Sequence, residues 1–181
     1  MEHMTETHRH LLQFIMKEGY LSKKKLNDTL DNYKVQHEYK GRDRVDEDFT
    51  RTINNAIGPM HLAIKAMVHP RSKDIYFAII NEQDDEISKL ATQYNAHEVQ
   101  LFKQILNAIV ENENSSITTT DAVNLRDNKS MNIEETEKVL NSFAKDGWIE
   151  KKKDEVWFGI RTLLELRMYL LNEFEVDTQD L

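Results

Sequence analysis

The stretch DGWIEKKKDEVWF, residues 146–158, decides the fold. Gly147 closes an apolar-periodic segment, because glycine readily takes the left-handed conformation that stops a helix. Trp148 to Glu150 and Val156 to Phe158 then read as two short strands, and Lys151-Lys152-Lys153-Asp154 as the polar tip between them. A helix followed at once by a hairpin is the closing half of a winged helix, a fold often used to read DNA. Trp148, at the corner where helix turns to strand, is expected to be buried and to anchor both.

Upstream of this stretch, Asn132 and Glu135 have the spacing of a capping box, which starts a helix with Thr136, Val139, Leu140 and Phe143 facing inward. TTTDAVNL (118–125) supplies a short helix before it. HEVQLFKQILNAIVEN (97–112) supplies a longer one, with Val99, Phe102, Ile105, Leu106 and Ile109 on one face. Downstream, IRTLLELRMYLLNEF (160–174) reads as one final helix packed through Leu163, Leu164, Leu166, Leu170 and Leu171.

The first half of the chain repeats this order. A helix is expected from about Thr5 to the stop at Gly19, and a second after the cap Ser22 with Leu26, Leu30 and Tyr33 inward. GRDR (41–44) forms a loop. A third helix from Val45 ends at Gly58-Pro59 with Val45, Phe49, Ile53 and Ile57 in one stripe. Leu62, Ile64, Ala66 and Val68 alternate as a strand, HPRSKD (69–74) turns the chain and IYFAII returns it. NEQDDE (81–86) is a polar linker, and ISKLATQY (87–94) a short joining helix. The expected class is therefore α+β, helix-dominated, with tandem winged-helix domains over 1–84 and 85–181; the repeat is one of architecture and not of sequence.

Composition narrows the function. The 181 residues include two prolines, five glycines and no cysteine. That profile fits a helix-rich globular protein, excludes disulfides and excludes a thiolate zinc site. No apolar run approaches the roughly 18 residues of a membrane span, and the N-terminus lacks the apolar core of a signal peptide, so an intracellular protein with no membrane partner is expected. His8 and His10 are the closest histidine pair, but two residues apart they face different sides of a helix, and no metal site is expected. No glycine-rich phosphate loop or Ser/His/acid set supports an enzyme.

The charge of −8 is uneven. Residues 1–80 hold 13 Lys+Arg against 11 Asp+Glu, and residues 81–181 hold 11 against 21. Both third helices open with acids: Asp46, Glu47 and Asp48 in the first, Glu134, Glu135 and Glu137 in the second. A carboxylate cluster on the end that would face the major groove opposes base readout. The same acids favour the helix dipole by about 0.3–1 kcal/mol each, which accounts for their presence without any ligand. Arg71 and Lys73 on one wing tip, and Lys151, Lys152 and Lys153 on the other, are candidate phosphate contacts; a solvated turn guarding an edge strand is the plainer account of them. DNA binding is expected to be weak or indirect, and a free-standing DNA-binding regulator is the alternative function.

On the first helix, Phe14, Leu11, Ile15, Leu12 and Met16 spread over about 200°, wider than one buried face requires. Met16 at the margin of that arc, beside Gln13 and Leu12, is a candidate protein-binding spot.

MTETHRHLLQFIMKEGYL, IYFAIIN followed by ISKLATQY, HEVQLFKQIL and EETEKVLNSFAKDGWIEKK together resemble, from Met4 to about Phe174, the first non-SMC element subunit (Nse-one) of the eukaryotic Smc five/six complex. The resemblance implies tandem winged helices that bind a MAGE-type partner beside a kleisin subunit, in a nuclear, chromosome-associated assembly serving chromosome maintenance and DNA repair. It also favours Gln13 and Met16, in the QFIM stretch, as part of the MAGE-binding surface. Members of that family carry a zinc-binding RING-like domain with a ubiquitin ligase role. This chain stops at NEFEVDTQDL, about where that domain begins, so neither cofactor nor ligase activity is expected of it.

Overall fold

In the computed structural model, residues 4–37, 47–82 and 93–174 are described. The chain divides into two compact units, Met1–Gln83 and Asp84–Leu181. The linker NEQDDE beyond Glu82, the joining helix up to Ala91-Thr92, the GRDR loop, and Val45 and Asp46 of the third helix lie outside the described residues.

In the first unit, helix α1 (Glu6–Glu18) starts at the N-cap Thr5 and stops at Gly19, whose φ of 81° favours glycine. Strand β1 (Tyr20–Ser22) leads into helix α2 (Lys23–Gln36), capped by the Ser22 hydroxyl. Helix α3 (Glu47–Ile57) runs into a 3-10 turn at Gly58–Met60, then strands β2 (Leu62–Val68) and β3 (Ile75–Asn81) form an antiparallel hairpin. The sheet order is β1-β3-β2. Leu11, Ile15, Leu26, Leu30, Phe49, Ile53, Ile57, Ile64 and Phe77 form one core, which matches the three apolar stripes expected from the sequence. Asn54 pins helix to hairpin: its side-chain amide donates to the Ile64 carbonyl at 3.0 Å and its oxygen accepts from the Ile64 N–H at 2.7 Å.

In the second unit, helix α4 (Ala96–Glu111) is capped by an Asn95/Glu98 box, β4 (Ile117–Thr118) leads into α5 (Thr119–Asn124), and α6 (Ile133–Lys145) carries the expected Asn132/Glu135 box. Strands β5 (Ile149–Lys152) and β6 (Glu155–Phe158) follow, then helices α7 (Ile160–Glu165) and α8 (Arg167–Phe174). The sheet order is β4-β6-β5. In both units, then, the strand before the second helix pairs with the returning strand of the hairpin, which becomes the centre of the sheet.

Four sequence expectations are corrected. Strands β1 and β4 were not expected; two or three residues are too few to show a period. Beyond Ile64 the β2 alternation lapses, with Val68 exposed and Met67 half-buried, because β2 is the edge strand and its far end leaves the core. Lys151 and Lys152 lie in β5, paired with Val156 and Glu155, so the hairpin tip is only Lys153-Asp154, with Lys153 at φ 55°. The final helix is two helices meeting at Leu166, whose side chain is fully buried at the bend.

Trp148 is 1% exposed, as expected, though it precedes β5 and is not part of it. Its ring meets Phe102 edge-on, and the Arg161 guanidinium lies 3.9 Å from the ring centroid. Arg161 also pairs with Glu165 at 2.6 Å, in a half-enclosed site where both charges are shielded from water.

Candidate functional site

Two regions carry the candidate residues: the outer flank of α1, and the hairpin tips. On α1, the residues that face inward are Thr7, His8, Leu11 and Ile15, all at 8% exposure or less. His8 is held by its own helix start. Its ring stacks on Phe49 with centroids 4.0 Å apart, and its Nδ1 accepts from the Thr5 N–H at 3.2 Å. The same nitrogen lies 2.6 Å from the Thr5 hydroxyl. His10 points elsewhere and stacks on Tyr33, with centroids 4.4 Å apart. The two histidines thus serve packing on different faces.

With the inward face filled, Leu12 is left half-buried against the core, Gln13 is exposed and Met16 is 64% exposed. These three lie on neighbouring ridges of one flank, since positions 12, 13 and 16 are related by i,i+3 and i,i+4 spacing. Phe14, on the other side, is covered in part by Lys25, whose ammonium is 5.9 Å from its ring centroid and 2.8 Å from Glu18. That pairing holds the Glu18 carboxyl below its ordinary pKa. The flank therefore offers apolar area without a charge of its own at 12, 13 or 16.

The hairpin tips differ from one another. In the first, the His69 Nδ1 accepts from the backbone N–H groups of both Arg71 and Ser72 at 3.2 Å, and the Lys73 N–H donates to the His69 carbonyl at 2.9 Å. Arg71 and Lys73 are exposed on this braced turn. In the second, Lys151 is half-buried and donates to Asn141 at 3.3 Å, Lys152 is exposed on the strand, and only Lys153 is at the tip. The five candidate phosphate contacts are thus not equivalent.

Three acids of the third helices are engaged locally. Asp48 pairs with Arg51 at 2.6 Å and Glu134 with Lys138 at 2.8 Å, while Glu135 accepts from the Asn132 N–H at 2.9 Å. These are helix-start and helix-surface roles. Among the described residues, no group of three or more His, Asp and Glu is placed to hold a metal, and no helix is long and apolar enough to cross a membrane.

Each unit is a set of helices closed by a hairpin, and the first also carries the half-open apolar flank on α1. The model of the family described as "Nse1 non-SMC component of SMC5-6 complex" matches residues 8–166, so the chain belongs to that family. It is 32% identical to the human Non-structural maintenance of chromosomes element 1 homolog over 92% of this chain and 64% of that protein. It is 25% identical to Non-structural maintenance of chromosomes element 1 of Schizosaccharomyces pombe, over 95% of this chain and 73% of the other. The chain thus spans just under two thirds of its human relative. A chain of a solved structure titled "Nse1-Nse3-Nse4 complex" superposes with a TM-score of 0.84 at 24% identity, covering 97% of this chain and 77% of that one, which establishes the likeness of fold.

Proposed function

We propose that both units are winged helices, and that the chain is a protein-interaction subunit of the SMC5-6 complex that docks a MAGE-type partner through Leu12, Gln13 and Met16. The observation that carries this reading is the uncovered Met16, 64% exposed on a helix whose inward face is already filled, in a chain of the Nse1 family. A flexible, polarisable side chain beside an amide adapts to a partner's apolar surface, and neither residue is needed to complete the core. The solved structure's title couples a protein of the same fold with Nse3 and Nse4, which supports a MAGE-type and a kleisin neighbour for this chain as well.

Service in chromosome maintenance and DNA repair, and a nuclear, chromosome-associated location, follow from membership of that complex. These residues alone are not expected to transfer ubiquitin, because a RING needs thiolate ligands for zinc and the chain has no cysteine. The test is gel filtration of this chain mixed with a MAGE-type Nse3 subunit at micromolar concentration. One co-eluting species is expected, and separate elution of the two would reject the reading.

A further inference from the structure

The second unit carries a cavity that neither the flank of α1 nor the hairpin tips account for. It opens between α4 and α8, beside Leu125 at the end of α5, and has a volume of about 400 Å³, in the range of ligand sites. Its α4 wall is a stripe at helical spacing, Gln100, Gln104, Asn107 and Glu111, on the side of the helix away from the buried Phe102, Ile105 and Ile109. Its α8 wall is Tyr169, Glu173 and Phe174, whose two rings stand at 88° with centroids 5.9 Å apart.

Both carboxylates stand where a helix favours a cation. Glu111 is the last residue of α4 and Glu173 the last but one of α8, and neither last turn holds a base. The backbone carbonyls make such an end negative, and the acids add to it. Helices α1, α2 and α6 instead carry Lys17, Lys34 and Lys145 in their last turns. Among the described residues, neither Glu111 nor Glu173 forms an ion pair. Lys103 also lines the cavity, so two carboxylates against one ammonium leave a single negative charge in excess. Solvation explains the amides of the stripe, but it gives no reason to place acids at two helix ends beside a pair of rings.

The same unit shows what a ring and a carboxylate hold together: the Arg161 guanidinium lies 3.9 Å from the Trp148 ring centroid and pairs with Glu165 at 2.6 Å. We propose that the cavity receives an arginine side chain presented by a segment of a partner protein. A guanidinium stacks on an aromatic face and pairs with carboxylates in its own plane. Its five N–H donors also match the acceptors of the stripe. The Asn107 amide donates to Glu111 at 3.0 Å, which leaves its carbonyl oxygen to accept, and Gln100 and Gln104 add two more carbonyl oxygens. A lysine ammonium, with three donors and no plane, would use fewer of them. The cavity is open along one side, which suits a side chain entering from a partner, whereas a free small molecule is normally enclosed over most of its surface. None of these residues lies on α1, so the inference stands apart from the docking proposed there.

The experiment is a proton–nitrogen correlation NMR titration of the full chain with the blocked tripeptide Gly-Arg-Gly, beside its lysine and citrulline counterparts and free L-arginine. The arginine peptide should shift the side-chain amide signals of Gln100, Gln104 and Asn107 with a Kd on the order of 1 mM. The lysine and citrulline peptides should bind about tenfold more weakly, because the first lacks the planar fork and the second the charge. The double variant Glu111→Gln with Glu173→Gln should weaken binding of the arginine peptide about tenfold while its melting temperature holds or rises, since both acids oppose their helix dipoles. No shift of those amides at about 10 mM peptide, an equal response to the lysine or citrulline peptide, unchanged affinity in the variant, or a fall in its melting temperature would each overturn the proposal. Tighter binding of free L-arginine than of the blocked peptide would overturn it by assigning the cavity to a small molecule.

Discussion

At Gly159 the space where a side chain would begin is already filled. A Cβ there would overlap the Gly147 carbonyl, while the Gly159 N–H donates to the Trp148 carbonyl at 2.9 Å and the buried Thr162 hydroxyl donates to the same oxygen at 2.5 Å. The corner that decides the fold is therefore closed by backbone meeting backbone. Gly159→Ala should cost about 1–3 kcal/mol of stability, and Trp148→Ala about 3–5 kcal/mol, both read by denaturant unfolding. Wild-type stability in either variant would show that the corner is not as described. Nearby, the Tyr94 hydroxyl donates to Asp146 at 2.5 Å, and burial together with that carboxylate pushes its pKa up to about 12. An unfolded tyrosine titrates near 10, so between about pH 10 and 12 the unfolded state loses its proton first. The contribution of Tyr94 is thus fully present below pH 10 and is lost as pH rises toward 12. Tyr94→Phe should flatten the fall of stability with alkali over that window, followed by melting temperature against pH.

At the scale of elements, what the sequence revealed and what it hid follow physical lines. The stripes of α1, α2, α3, α4 and α6 were legible because burial at period 3.6 repeats over three or more turns. The caps Ser22 and Asn132 were legible because short polar side chains there bond a backbone N–H three residues on. The pin from Asn54 to Ile64 was not, since an amide on a helix carries no mark of the strand it will meet. Asn54→Ala should leave the Ile64 N–H and carbonyl without this partner and cost about 1–3 kcal/mol, with faster amide exchange along β2. Unchanged exchange in β2 would contradict that account. The break at Leu166 was also hidden, because leucine suits a helix and only the packing of unit two draws it inward. Lys151 and Lys152 were misread as tip residues because charge suggests a turn, whereas the two-residue turn is set by Lys153 in the left-handed region.

Over the whole molecule, two units of the same strand order carry unlike surfaces. The charge excess lies in residues 81–181, while residues 1–80 are slightly basic. The helix-dominated α+β class and the family were legible in the sequence, but the flank on α1 was legible only as an apolar arc too wide for one core. The structure resolves that arc into two inward residues, Leu11 and Ile15, two half-buried ones, Leu12 and Phe14, and the exposed Met16 at its margin. Placing a charge on that margin leaves the core untouched, yet buries an unpaired charge in any complex that covers it, a penalty of about 2–5 kcal/mol.

The most direct measurement is therefore gel filtration of the variant Gln13→Arg with Met16→Arg, mixed with the MAGE-type Nse3 subunit, alongside circular dichroism and melting of the variant alone. Loss of co-elution with fold and melting temperature close to wild type is the expected result, and changing Lys151, Lys152 and Lys153 to alanine should leave the pairing intact. Normal co-elution of the arginine variant, or collapse of its fold, would show that the partner surface lies elsewhere and that the flank of α1 belongs to the core.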